Sequence, residues 1–506
     1  MADGNDGPSP VDSLEAPALA STGIAGLDEI LGGGLPRHRA YLVEGPHGSG
    51  KTTLGLQFLM AGARQGERGL YLATSEFERE VREISRSHGW NLDGVVIHYH
   101  DPRNSFPNGP EQSVFLPAEM ELPRTMEAIL AEIDRVDPQR LVIDSMSEIR
   151  LLSSDERHFR RQVLDLKEHL MNRECTTLFC DERLSPEQPV HVLVHGVINL
   201  EQTTLEYGPD RRRLRIAKLR GRSYSSGLHD FKIVTGGLEV YPRLVASNDR
   251  RDFEGQIVSS GIPELDTLFG GGIDKGTASL LLGPSGSGKS ILASQYAVAA
   301  ALRGERTAMY VFDERVNVLL ARARGLGLDL EGEADRGMIE IRQVNPAELT
   351  PGQFSDHVRR AIIDRGVELV VIDSLVGYRN VMPEERWLSL YLHELLGFLN
   401  QHGVTALMVL TQHGPPGTIR TNPFDLSYIT DSILLVHIFE FRGELRKAVS
   451  VYKRRSGGHE PSLRELRIDS DGVHIGDPLT DFRGITTGLP HFLGERLADV
   501  EGPGSD

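Results

Sequence analysis

Short apolar runs alternate with longer stretches of helical period along this chain. "AYLVEG" (from Ala40), "GLYLATS" (from Gly69), "RLVIDS" (from Arg140) and "TTLFCD" (from Thr176) each read as a buried strand. Between them, "TTLGLQFLMAGARQ" (from Thr52) and "EREVREISRSHG" (from Glu78) read as helices. Strands alternating with helices predict an α/β fold, a mainly parallel sheet flanked by helices on both faces. Such sheets bind ligands at the carboxyl ends of their strands. The residues that directly follow an apolar run are therefore the first place to look for chemistry.

The same pattern occurs twice. "STGIAGLDEILGGGLP" (from Ser21) matches "SSGIPELDTLFGGGI" (from Ser259), and "EGPHGSGKTTLGLQF" (from Glu44) matches "LGPSGSGKSILASQY" (from Leu282). One ungapped register pairs Gly23 with Gly261, Lys51 with Lys289 and Glu76 with Glu314. The register then slips before "RLVIDS" and "LVVIDS", where Asp144 pairs with Asp373. A longer surface loop near Asp101–Glu121 of the first copy, rich in Pro and polar residues, accounts for the slip. Each copy is a whole domain, too long for a solenoid repeat. The expected layout is a disordered tail over 1–18, domains over 19–245 and 246–486, and a short tail over 487–506. "VASNDRRDFEG" is the seam.

Composition adds limits. Hydrophobic residues make up 39% and charged residues 25% of 506, as in ordinary soluble globular proteins. The formal net charge of −17 and the lack of a basic-aromatic stripe argue against nucleic acid as a partner. Two cysteines, Cys175 and Cys180, fit neither a disulfide framework nor a zinc site, and point to a reduced cytoplasmic setting. No apolar run approaches the roughly 20 residues that span a membrane. The first residues lack the basic start and apolar stretch of a signal peptide.

Two glycine-rich loops carry the strongest chemistry. G-x-x-x-x-G-K-[ST] appears as Gly45 to Thr52 and as Gly283 to Ser290, each after a strand and opening a helix. Gly45, Gly48, Ser49, Gly50 and Thr53, and in the second copy Gly283, Gly286, Ser287 and Gly288, would wrap backbone N–H groups around phosphates. Lys51 and Lys289 would reach the β- and γ-phosphates of ATP, and the Thr52 and Ser290 hydroxyls would hold Mg²⁺. Asp144 and Asp373 end apolar strands and suit a second role at that metal; the competing reading is a turn or cap residue.

Hydrolysis also needs a carboxylate near the γ-phosphate. Glu76 in the first copy, and Asp313 with Glu314 in the second, follow the strand after the loop helix; surface salt bridges are the competing reading. Cations complete the set. Lys218 with Arg220, and Lys453 with Arg455, sit two residues apart, so each pair faces one side of a strand. They lie far from their own loops, which suits service to a neighbouring subunit; solvated surface cations are the alternative. "RRRLR" (Arg211–Arg215) reads as covering a turn after "YGPD".

At this point the chain resembles the KaiC family, which has two RecA-like ATPase domains in one chain. The resemblance runs from Ser21 to about Arg483 and rests on the repeated motifs above, with "KLRG", "VFDER", "ITDSILLVHIFEFRGELRKAVSVYKRR" and "LRELRIDSDGVHI". It implies a homohexameric double ring with ATP between subunits, and catalytic roles for Glu76 and for the Asp313/Glu314 pair. It also implies KaiB-like or other signalling partners. Clock members phosphorylate an adjacent Ser-Thr pair in the second domain. The matching stretch here is "FDLSYITDS", with Ser427 on the serine and Tyr428 where the threonine stands. A phenol carries its oxygen further from the backbone, so an ordered two-site cycle is not expected. The resulting expectation is a Mg²⁺-dependent ATPase with a signalling role and serine autokinase activity. The rival classes are a RecA- or helicase-like DNA-dependent ATPase, and a scaffold that binds ATP without turnover.

Overall fold

A computed structural model describes residues 18–100, 118–153, 155–182, 189–205, 208–245, 255–380, 385–412, 428–487 and 490–493. The chain forms two compact units, passing from the first to the second between Arg243 and Leu244.

Each unit is built on a nine-stranded sheet. In the first, Val95–Tyr99, Gly69–Ala73, Arg140–Asp144, Thr176–Asp181, Ala40–Glu44 and Gly196–Thr203 lie side by side in that order, all parallel. Arg211–Leu219, His229–Val234 and Gly237–Tyr241 extend it as antiparallel strands. The second sheet repeats the order. Ile339–Gln343, Arg306–Val311, Val367–Asp373, Thr405–Thr411, Ala278–Gly283 and Ser432–Phe441 are parallel. Glu444–Arg454, Arg464–Asp469 and Gly472–Pro478 follow antiparallel. Both units are therefore mainly parallel α/β sheets flanked by helices, as the alternation of apolar runs and helical stretches predicts.

The strands are apolar on both faces because helices cover both. Every residue of Ala40–Glu44, Gly69–Ala73 and Arg140–Asp144 is buried. Two apolar clusters result in the first unit, one gathered around Phe58 and Tyr71, the other around Phe159 and Phe179. The helix Lys51–Ala63 is buried nearly all round, so it reads as apolar rather than amphipathic. Its Gly55 allows it to lie on the sheet, since a Cβ there would meet Val142 Cγ1 at 2.9 Å.

Two local expectations change. Arg211–Arg215 does not cover a turn; it opens the antiparallel strand Arg211–Leu219, paired with Gly196–Thr203. Its arginines alternate around a half-buried strand face, which their charge hides from a hydrophobicity reading. The expected loop over Asp101–Glu121 lies mostly outside the described residues, but its last residues open the helix Ala118–Val136. Among the described residues, no helix is long and apolar enough to cross a membrane.

Candidate functional site

The central strand Ala40–Glu44 runs straight into the first glycine loop, and the helix beginning at Lys51 leaves it. Gly50 caps that helix with φ +100, a left-handed conformation that a side chain disfavours. Gly45 is demanded by proximity, because a Cβ there would lie 2.6 Å from the Leu200 carbonyl oxygen. Gly48 also takes positive φ. Ser49 is fully buried, and its Oγ finds no hydrogen-bond partner. Thr53 is buried beneath the loop. Lys51 Nζ folds over the loop and donates to the Gly45 and Pro46 carbonyls at 2.8 and 3.0 Å.

The neighbouring strand ends bring in the carboxylates. Thr52 Oγ1 donates to Asp144 Oδ2 at 2.7 Å, closing 92 residues of sequence. Glu76 follows the strand Gly69–Ala73. Burial raises its pKa above the ordinary 4.5, the Asp144 and Glu80 charges push the same way, and Lys51 opposes them. One of its oxygens, Oε2, is buried without a hydrogen-bond partner. A carboxyl group held this way is primed to take a proton. Behind the loop, buried Glu44 accepts from or shares a proton with His191 Nε2 at 2.6 Å, and buried Asp181 pairs with Arg150.

The second unit repeats the frame with different contacts. Gly283 approaches the Val436 carbonyl so closely that a Cβ would sit 2.3 Å from its oxygen. Gly286 and Gly288 have φ of +75 and +106. Lys289 is buried, donates to the Pro284 carbonyl at 2.6 Å, and approaches the buried Ser287 Oγ at 3.4 Å. Burial lowers its pKa to about 8, against the opposing pull of Asp373. Ser290 and Asp373 both line the site, and the Asp373 carboxyl is raised by burial and by Glu314 against the lowering effect of Ser290, Arg322 and Lys289. In both units the peptide bond after this aspartate, Asp144–Ser145 or Asp373–Ser374, is cis.

A cavity of about 320 Å³ opens over this second loop, lined among others by Lys289, Ser290, Asp313, Glu314, Arg322 and Asp373. The two carboxylates expected to act as a pair are held differently. Asp313 Oδ2 accepts from the Ser374 hydroxyl. Glu314 is gripped by Arg322, whose Nη1 and Nη2 donate to its two oxygens at 2.7 Å each.

The paired cations are held by backbone carbonyls in each unit. Lys218 Nζ donates to the His191 and Val194 carbonyls at 2.6 and 2.9 Å, and Arg220 to the Val192 carbonyl at 3.0 Å. Lys453 donates to the Thr430 carbonyl at 2.7 Å, while Arg455 reaches the Tyr428 carbonyl and Asp431. Each pair thus faces one side, and neither Lys453 nor Arg455 lines the cavity. Tyr428 is exposed; Ser427 lies outside the described residues.

Three participants escaped the sequence reading. Tyr71 bonds to Asp144, Arg322 grips Glu314, and Lys447, on the strand Glu444–Arg454, lines the second cavity. The signal for Arg322 was available in the repeat itself, since the ungapped register sets it against Ile84.

Among the described residues no cluster of three or more His, Cys, Asp or Glu could hold a metal unaided. A hydroxyl and one carboxylate do fit Mg²⁺, which binds through few protein ligands together with water and substrate phosphates.

Two mainly parallel sheets, each with a glycine loop at the carboxyl end of a central strand, define a tandem RecA-like P-loop protein. A family profile described as "ATPase: KaiC" matches residues 20–245 and 258–480. The chain belongs to this family of ATPases. It is similar to proteins named circadian clock oscillator protein KaiC. With that of Prochlorococcus marinus (strain MIT 9313) it shares 29% identity over 95% of this chain and 96% of the relative. With that of Synechococcus elongatus (strain ATCC 33912 / PCC 7942 / FACHB-805) the values are 29%, 95% and 94%. With that of Thermostichus vulcanus they are 29%, 93% and 91%.

Proposed function

We propose that each unit binds ATP on its glycine loop and hydrolyses it, and that the nucleotide state of the two units serves as a regulatory signal. The observation that carries this reading is the placement of loop hydroxyl and strand-end carboxylate in both units: Thr52 bonds to Asp144, and Ser290 shares a cavity lining with Asp373. The backbone of Gly45–Gly50 and Gly283–Gly288 cradles the phosphates, with Lys51 and Lys289 on the terminal ones. Thr52 with Asp144, and Ser290 with Asp373, are the groups that hold Mg²⁺. Bound there, Mg²⁺ would supply charge neutralisation for the β- and γ-phosphates.

In the first unit Glu76 takes the proton of a water molecule as the water oxygen bonds to the γ-phosphorus. The bond from that phosphorus to the β–γ bridging oxygen breaks, and ADP leaves with the electron pair. The raised proton affinity of Glu76 supports this role. Lys218, Arg220, Lys453 and Arg455 serve the γ-phosphate of a neighbouring copy in a homohexamer; that Lys453 and Arg455 do not line their own unit's cavity supports a partner in trans.

The relatives' name, circadian clock oscillator protein, supports a timing or signalling role with KaiB-like protein partners. In the second unit the Ser427 hydroxyl is the alternative acceptor: its oxygen bonds to the γ-phosphorus, its proton passes to Asp313, and ADP leaves. We place the protein in the cytoplasm, in keeping with its two free, buried thiols.

Phosphate release with Mg²⁺·ATP, compared among the parent, Lys51→Ala and Lys289→Ala, tests the core of this reading. Each lysine variant is expected to lose one unit's turnover. Turnover by neither parent nor variants would leave a scaffold, and stimulation by DNA with steep salt dependence would favour the motor class. Light scattering with ATP checks the hexamer, and phosphopeptide mapping checks Ser427.

A further inference from the structure

The two units differ most at the carboxylate that follows the strand beside the loop. Glu76 and Glu314 occupy the same place in the repeat. Glu76 keeps one oxygen buried and without a hydrogen-bond donor. Glu314 has both oxygens engaged by one guanidinium, two parallel N–H···O bonds of 2.7 Å. This fork geometry is the strongest neutral-pH pairing a carboxylate makes with a side chain. It occupies one lone pair on each oxygen, so a water proton must compete with the guanidinium at either one.

The helix places the arginine for this task. Arg322 rides on Val316–Gly325, two turns beyond Glu314, and its side chain reaches back into the cavity that Asp313, Glu314 and Asp373 also line. The matching helix of the first unit, Glu78–Ser87, carries Ile84 there, packed against the core. Its hydrogen bonds run to Glu314 alone among the described residues, and its charge also reaches Asp373.

We propose that Arg322 is a positioning residue of the second site: by holding both oxygens of Glu314 it withdraws that carboxylate from proton transfer and leaves Asp313 as the acid–base group. The ion pair thereby limits hydrolysis in the second unit and separates the chemistry of the two units. This rests on the ATPase reading above.

The test uses the full chain carrying Glu76→Gln, so that phosphate release reports the second unit. Arg322→Ile, which copies the first unit, is expected to raise kcat about tenfold, a modest part of what a well-placed base contributes. KM for ATP stays unchanged, because the arginine acts on the carboxylate. Arg322→Lys, with a single-pronged cation, falls between the two. Arg322→Gln is measured as well, in case the isoleucine variant does not fold.

The decisive arm adds Asp313→Asn. With Arg322 in place this change stops turnover, and Arg322→Ile or Arg322→Gln restores it through the released Glu314. A rise in KM without a gain in kcat, or no restoration in the Asp313→Asn chain, overturns the proposal. The parent is run alongside. No phosphate release by the parent would overturn the ATPase reading itself, whereas release by the parent with no response to Arg322 overturns only the ion-pair role.

Discussion

The hydroxyl of Tyr71 donates to Oδ2 of Asp144 at 2.6 Å, the same oxygen that accepts from Thr52 at 2.7 Å. Both groups lie in the interior, with Tyr71 fully buried. Register puts Met309 where Tyr71 stands, so the second unit's Asp373 has no such phenol. Tyr71→Phe removes one of two donors from a buried carboxylate. It is expected to cost the first unit about 1.5–3 kcal/mol, as for hydrogen bonds to charged groups. Hydrogen exchange along the strand Arg140–Asp144 reads this directly. Unchanged protection would mean that Thr52 alone suffices to hold Asp144.

How much of this was legible beforehand depends on sequence distance. The glycine loops announce themselves because eight adjacent residues carry the whole signal. The parallel strands do so because burial on both faces makes them uninterrupted apolar runs. The antiparallel extension did not, because Arg211–Leu219 is half-buried and begins with four arginines in five residues. The grip of Arg322 on Glu314 depends on helix phase, and the Tyr71 bond on parallel pairing of Tyr71 beside Val142. Neither follows from composition.

Arg140 shows how a charged residue can be structural. Its side chain is 1% exposed, pairs with Glu67, donates to the Ser21 and Phe58 carbonyls, and stacks over the Phe58 ring at 4.7 Å. Burial pushes the Glu67 carboxyl up, but Arg37 and Arg140 together hold it below its usual value. Arg140→Leu leaves Glu67 without its buried partner and is expected to cost about 3–5 kcal/mol. Urea unfolding of the full chain should show the first unit melting early and the second unmoved. Arg140→Leu with Glu67→Leu should recover much of the loss.

Gly288 gives a prediction about stoichiometry. Its φ of +106 is left-handed, and a Cβ would lie 2.3 Å from Ile468 Cδ1. Gly288→Ala must twist the loop or displace Ile468, at about 1–3 kcal/mol for the backbone conformation alone. Calorimetric titration with ATP should fall from two sites per chain to one. Two undiminished sites in the alanine variant would show that the loop tolerates the change.

Glu76 links catalysis to stability with a definite sign. Its pKa in the folded chain is raised above 4.5, first by burial, then by Asp144 and Glu80, with Lys51 opposing. The folded state therefore binds this proton more tightly than the unfolded chain does. The stabilisation is fully present below the unfolded value of 4.5 and is lost as pH rises through the folded value. At neutral pH the ionised, partly buried carboxylate is a net burden on the fold. Glu76→Gln should then raise the melting temperature at neutral pH, with the gain shrinking as pH falls through the folded value and gone below 4.5. The same change removes the proton acceptor and should lower first-unit phosphate release by about 100-fold or more. In the parent, the acid limb of that turnover should lie above the ordinary glutamate range, because only the ionised form accepts a proton. Measuring melting and phosphate release across pH in both proteins checks the two effects together. A glutamine variant that is less stable at neutral pH yet still active would show that Glu76 serves the fold rather than the reaction.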